Sequence, residues 1–287
     1  MKKIIAFVLS ILMAMSLFAG CTPGDGTEAG ENKYNLKTVK EGYLIIATSP
    51  DYAPYEFYDM SSGKAELAGF DIALAKYIGE YLGLTVEFVP MSFNGVLMEI
   101  QNGKCDLALA GLSPRADRAD QMDFSTIYYS SEQSLITFNG KISSIEQAND
   151  PNVKIGVQTG SIQEGLAKEN TPKADIISLS KVTDIIAELV SGKLDAAYIE
   201  TPVANAYKAT YGGLSIVTSI PQEDNGNIIG VTKGNSDLLK YVNEAIEKAL
   251  SDGSFNTFVK EAFEAATGEI YEGTLDNENN TEESNNG

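Results

Sequence analysis

The sequence predicts an α/β protein built as two similar lobes, and three observations carry that expectation. Short apolar, β-prone runs alternate with amphipathic helical stretches from position 43 to about Leu214, the rhythm of helices packed on mostly parallel sheets. The run N-G-K-C-D-L-A-L-A-G from Asn102 is echoed by S-G-K-L-D-A-A-Y-I-E from Ser191. Each reads as helix end, glycine stop, then strand. The length of 287 residues adds a soft expectation of about two domains and a substantial core.

In chain order, Lys2 and Lys3 precede an apolar run over 4–18, then Ala19-Gly20-Cys21. A positive start, a short apolar stretch and small residues predict an export signal over 1–20, too short to span as an anchor. Residues 21–41 hold few large apolar side chains and predict a flexible stalk. Cys21 could alternatively pair with Cys105, the only other cysteine. Cys105 itself sits in an apolar strand pattern and reads as a buried small hydrophobe.

Tyr43–Thr48 is a β-prone run. Phe70, Leu74, Tyr77, Ile78 and Tyr81 recur at helical spacing before Gly83, predicting a helix over Phe70–Leu82. Val96, Leu97 and Ile100 mark the next helix, which leads into a strand over 105–110. Residues 153–157 read as a strand, Gly160 as a turn and Ser161 as the cap of a helix starting near Ile162. Ile185, Ile186 and Leu189 mark a further helix, followed by a strand over 196–199, Glu200, and a helix begun by Pro202. The acidic, polar run over 272–287 cannot bury enough surface to fold.

Composition excludes several functions. There are 21 cations against 40 acids, net −19; removing 1–20 takes two lysines and leaves 19 against 40, or −21. Nucleic acid is therefore not an expected partner. Histidine is absent, which removes Ser-His-Asp and Cys-His catalysis and His-containing zinc sites. No phosphate loop, dinucleotide fingerprint or metal cluster is visible, so no cofactor or metal is expected.

Only two arginines occur, Arg115 and Arg118, both in A-G-L-S-P-R-A-D-R-A-D-Q-M-D-F-S over 110–125. All other cations are lysines, so the planar five-donor guanidinium is confined to one loop. A carboxylate is the partner that fits such a fork, and a loop leaving a strand's carboxyl end is where open α/β sheets hold ligands. The alternative is an exposed arginine pairing with Asp117, Asp120 or Asp123.

Taken together, G-F-D-I-A-L-A-K-Y-I-G from Gly69, the segment over 113–125, V-Q-T-G-S from Val157 and S-G-K-L-D-A-A-Y from Ser191 resemble the polar amino-acid-binding proteins of ABC importers. The resemblance covers about 43–263. It implies a two-lobed, periplasmic-binding-protein-like fold of type II, with two crossover segments joining lobe one (42–129 and 227–267) to lobe two (130–226). It further implies a non-enzymatic, monomeric protein that closes on a free L-amino acid and presents it to a membrane permease. Cys21 would match the lipoprotein processing site, placing a diacylated N-terminus on the outer face of the membrane.

By the same resemblance, Arg118 would take the ligand's α-carboxylate, helped by Ser113, the backbone of Gly111, Ser161 and the N–H of Ile162. Glu200 would stand where relatives carry the aspartate for the α-ammonium. Tyr52 and Phe93 would sandwich the ligand side chain, with Ser49, Asp51, Arg115 and Gln158 at or near it. Without the resemblance, Ser161 is an ordinary cap, Glu200 a solvated residue, and Tyr52 and Phe93 core. The same fold also hosts a dehydratase of prephenate-like acids, for which Glu200 is the evident acid or base.

Overall fold

A computed structural model describes residues 29–220 and 226–268. The expected export signal, Cys21 and the acidic tail lie outside the described residues. The first lobe builds β1 (Tyr43–Thr48), β2 (Phe57–Asp59), β3 (Glu66–Ala68), α1 (Phe70–Leu82), β4 (Thr85–Pro90), α2 (Phe93–Gln101), β5 (Leu107–Ala108) and β6 (Met122–Phe124). The chain then crosses into β7 (Gln133–Phe138), α3 (Ile145–Ala148), β8 (Lys154–Gln158), α4 (Ile162–Asn170), β9 (Asp175–Leu179), α5 (Val182–Val190), β10 (Ala196–Glu200), α6 (Thr201–Thr210) and β11 (Leu214–Ile220). It returns for β12 (Gly230–Thr232), α7 (Ser236–Ser251) and α8 (Ser254–Thr267).

Two five-stranded sheets result, ordered β4-β1-β5-β12-β6 and β11-β7-β10-β8-β9. In each, one strand runs against the rest, β12 in the first and β7 in the second. Those are the strands entered directly from a crossing, so a reversed strand is how the chain joins each sheet. β1 is buried along almost its whole length, as a strand covered on both faces must be. Leu74, Ala75 and Ile78 of α1 share a core with its Leu44 and Ile46, and Gly83 in the left-handed region ends the helix with its N–H on Glu80 O.

The crossings are bonded to each other. Asn227 N donates to Tyr129 O (2.7 Å) and Tyr128 N to Asn227 O (3.0 Å), while Ser125 Oγ accepts Ile229 N (2.8 Å).

Residues 29–41, expected to belong to a flexible stalk over 21–41, instead pack on the first lobe. Leu36 joins its core, and Tyr34 stacks on Tyr241 with ring centroids 4.0 Å apart. Lys33 N bonds Leu82 O (3.0 Å), and Val39 N bonds Asp106 Oδ1 (2.7 Å). Two apolar anchors and a few backbone bonds are enough to hold a polar segment down. Cys105 is buried as a free thiol whose pKa burial pushes up to about 12, which leaves it without nucleophilic character.

Candidate functional site

The loops after β1 and β5, with the start of α2, face the loop after β8 and the start of α4 across the seam between the lobes. Tyr52, Phe93, Ala110, Gly111, Ser113 and Arg118 from the first lobe and Gln158, Ser161, Ile162 and Gln163 from the second line one small cavity there. The structure thus brings together eight of the ten expected ligand-binding residues. Ser49 and Glu200 do not line it.

Arg118 is 5% exposed. Its guanidinium donates to Ser113 O (3.0 Å) and, across the seam, to Gly160 O (2.9 Å), and lies 5.7 Å from the centroid of the Phe93 ring. Burial pulls its pKa down to about 10, the signature of a cation held out of water without a full counter-charge. Two of the three acids that could have paired with it are engaged elsewhere. Asp117 is gripped by Arg115 through Nε (2.8 Å) and Nη2 (2.6 Å), and Asp123 takes Lys233 (2.7 Å) and Gly234 N (2.7 Å). Two neutral carbonyls leave donor capacity on the fork, which is what a carboxylate requires.

Gly111 supports the wall sterically. It sits at φ +55°, and a Cβ there would stand 2.9 Å from Tyr52 Cε1. A backbone contact from its N–H to a ligand does not fit this arrangement, since Asp71 Oδ2 takes that N–H (3.0 Å) and its carbonyl accepts Asn227 Nδ2 (3.2 Å). Asp71 also accepts Tyr128 O–H (2.7 Å) and is raised to about 6 by burial. Behind it lies Glu56, fully buried, with no donor on either carboxylate oxygen. Burial first, then the Asp71 carboxyl, raises Glu56 well above the usual range.

Ser161 occupies the N-cap of α4, but its side chain does not cap the helix. The hydroxyl donates backward to Gln158 O (2.7 Å), and Glu164 instead folds back to accept Gly160 N (3.0 Å). The first-turn N–H groups of α4 are therefore free of a side-chain cap and sit beside the Arg118 guanidinium, so dipole and cation favour an anion at the same place.

Glu200 ends β10, is 2% exposed, and stands behind Tyr52. It accepts Tyr52 O–H (3.1 Å), Asn227 Nδ2 (3.1 Å) and the Ser131 hydroxyl. Burial raises its pKa while those three donors oppose the rise. Gln163 completes the network, donating to Gln133 Oε1 (2.7 Å) and Tyr52 Oη (3.3 Å). Ser49 is turned away from the cavity, its hydroxyl on Asp51 Oδ1 (2.8 Å). Arg115, the second arginine, is spent on Asp117 and on Ser161 O of the other lobe (3.2 Å). Gln163, Ala110, Asn227 and Asp71 escaped the sequence reading. Only Gln163 had a local signal, one residue beyond the expected start of α4.

Comparison with known proteins adds four findings. The family model of bacterial extracellular solute-binding proteins, family 3, matches residues 44–265. The chain is similar to the arginine-binding extracellular protein ArtP of Bacillus subtilis, 30% identical over 268 residues, covering 92% of this chain and 98% of that protein. A crystal structure of the amino acid ABC transporter substrate-binding protein AbpA from Streptococcus pneumoniae, bound to L-arginine, superposes with a TM-score of 0.75 at 34% identity, covering 78% of this chain and 96% of that one. A cyclohexadienyl dehydratase of Pseudomonas aeruginosa is 27% identical over 198 residues, covering 68% of this chain and 71% of that protein.

Proposed function

This chain belongs to family 3 of the bacterial extracellular solute-binding proteins, and from that premise we propose that it captures a polar L-amino acid between its lobes for an ABC importer. One observation carries the reading: a buried guanidinium, Arg118, whose two hydrogen-bond acceptors are neutral carbonyls of opposite lobes, facing an uncapped helix start. A ligand α-carboxylate supplies the charge that Arg118 lacks and touches both lobes, so it favours the closed form through contacts the open form cannot make. Ser113, Ser161 and the N–H of Ile162 complete the carboxylate end, with Gln158 toward the ligand's side chain. Tyr52 and Phe93 bound the side-chain space.

The α-ammonium would meet Glu200, with Tyr52 Oη giving way as the acceptor side opens. The carboxylate is already oriented there by Ser131 and Asn227. The two crossings, bonded near Tyr129 and Asn227, serve as the hinge between lobe one (42–129 and 227–267) and lobe two (130–226). Cys21 would carry the lipid that tethers the monomer outside the membrane, where a permease collects the closed form. A dehydratase would need an acid or base aimed at its substrate. Glu200 is the candidate, but the binding reading uses it only as a fixed charge for the α-ammonium, and the match to a solute-binding family favours a binding protein over an enzyme.

The test is melting temperature against the twenty L-amino acids, with prephenate and amine-free acids alongside. Ligand at a hundredfold its Kd adds about 2.7 kcal/mol, a shift of a few degrees at this size. A shift confined to a few polar amino acids is expected, with L-arginine and L-glutamine the first to try. A shift only with acids lacking the amine would overturn Glu200's role and the amino-acid reading together.

A further inference from the structure

Two bonds between the lobes are made by side chains that do not line the carboxylate cavity, and each ends on backbone at the start of a helix in lobe two, the second on Ser161 at the cavity's edge. Asp51, in the loop after β1, accepts Val182 N through Oδ2 (2.6 Å) while Ser49 Oγ holds its other oxygen (2.8 Å). Val182 opens α5, whose N-cap position is Lys181 and which has no side-chain cap of its own. A helix start lacking a cap leaves N–H groups that an aspartate satisfies well. Here the aspartate comes from the opposite lobe, 131 residues away. Arg115 repeats the scheme with the opposite sign. Asp117 holds one edge of its guanidinium through both carboxylate oxygens, which lowers the Asp117 pKa, and Nη1 on the other edge reaches Ser161 O, at the N-cap of α4.

Neither residue lines the cavity that Arg118 faces. Both contacts require the lobes to meet, and neither requires anything between them. We propose that Asp51 and Arg115 are positioning residues for closure: they clasp the starts of α5 and α4 across the cleft and set how much of the ligand-free protein is already closed. Apparent affinity follows, because a ligand that binds the closed form is weakened by the fraction of protein not closed. The proposal rests on the binding reading for its effect on affinity, whereas the clasp itself is made by protein groups alone.

The experiment uses spin labels on exposed Lys76 of α1 and exposed Lys173 beyond α4, substituted to cysteine, with the distance between them measured in ligand-free protein. Asp51→Ala is expected to move population to longer distances. The closed-to-open ratio should fall about fivefold, the equivalent of the ~1 kcal/mol typical of a lost helix cap. Asp51→Asn keeps a capping oxygen and should retain most of the closed population, which a purely electrostatic role would not predict. Arg115→Ala should shift the same equilibrium and, combined with Asp51→Ala, should open the protein further. Melting of each variant confirms that it is folded. Identical distance distributions in wild type, Asp51→Ala and Arg115→Ala would overturn the clasp, even if amino-acid binding is confirmed. A weaker Kd for L-arginine with no change in the ligand-free distances would instead make Asp51 a ligand contact, and would also overturn it.

Discussion

Replacing Arg118 by methionine should abolish ligand binding and leave the ligand-free fold nearly as stable as before. Binding and stability draw on different contributions of this one side chain. Holding the guanidinium 5% exposed lowers its pKa from 12.5 to about 10, which corresponds to ~3 kcal/mol of unfavourable desolvation at neutral pH. Its hydrogen bonds to Ser113 O and Gly160 O return about 1.5–3 kcal/mol each as bonds from a charged donor. Methionine gives up both terms and keeps a stem of similar reach against Phe93, so the net change should be within about 3 kcal/mol. With ligand the balance differs sharply. The α-carboxylate would be left buried and unpaired, at a cost of about 3–5 kcal/mol, or two to three and a half decades in Kd. Urea unfolding of the ligand-free variant and calorimetric titration with the amino acid that shifts the wild type would read the two halves separately. Retention of wild-type affinity within a factor of three by a folded Arg118→Met would refute the placement of the carboxylate.

Gly111→Ala should weaken binding at least tenfold, because a Cβ at φ +55° would press on Tyr52 Cε1 from 2.9 Å and displace the ring from the cavity wall. Titration beside a melting curve checks it, with a loss of about 1–3 kcal/mol in stability expected from the strained backbone. Stability should also fall as pH rises from about 4 through 6 and above. Asp71 and Glu56 keep protons in the folded state above their unfolded values of 3.8 and 4.5, Asp71 until about 6 and Glu56 well above its own, so the stabilisation present below those unfolded values is lost as pH rises through the folded ones. Glu200, Asp51 and Asp106 are shifted the same way. Glu56→Gln can donate permanently to Asp71 and should flatten the profile; equal urea midpoints at pH 5 and 8 in the wild type would count against the buried carboxyl pair. Finally, Cys21→Ser should move the protein from the membrane fraction to the medium, with detergent partitioning as the readout.

Much of the fold was legible because it is local. Apolar spacing marked α1, and the Gly-Lys-Asp echo marked β5 and β10 in their two sheets. Arg118 was visible for a compositional reason, the confinement of both arginines to one loop. What the sequence concealed was tertiary. Nothing near Gly111 announces that Tyr52 lies on it, and nothing near Asp71 announces Glu56 or Tyr128. The extra carbon of Glu200 was known, but its retreat behind Tyr52 depends on Ser131 and Asn227, drawn from both crossings. The polar segment over 29–41 was misread because Tyr34 and Leu36 are only two apolar residues among many polar ones, and pairing with Tyr241, some two hundred residues on, leaves no periodicity to detect.

The strand order carries a consequence for how the chain folds. All strands of the second sheet fall within residues 133–220, whereas the first sheet has β12, at 230–232, in its interior between β5 and β6. As the chain emerges from its amino end, the second sheet has every strand it needs while the first still has a gap at its centre. Closing that gap joins residues more than a hundred positions apart, a slow step for a chain to complete. Lobe two is thus expected to order early and lobe one late. An exported protein of this topology cannot finish the half that carries Arg118 until nearly its whole length has crossed the membrane.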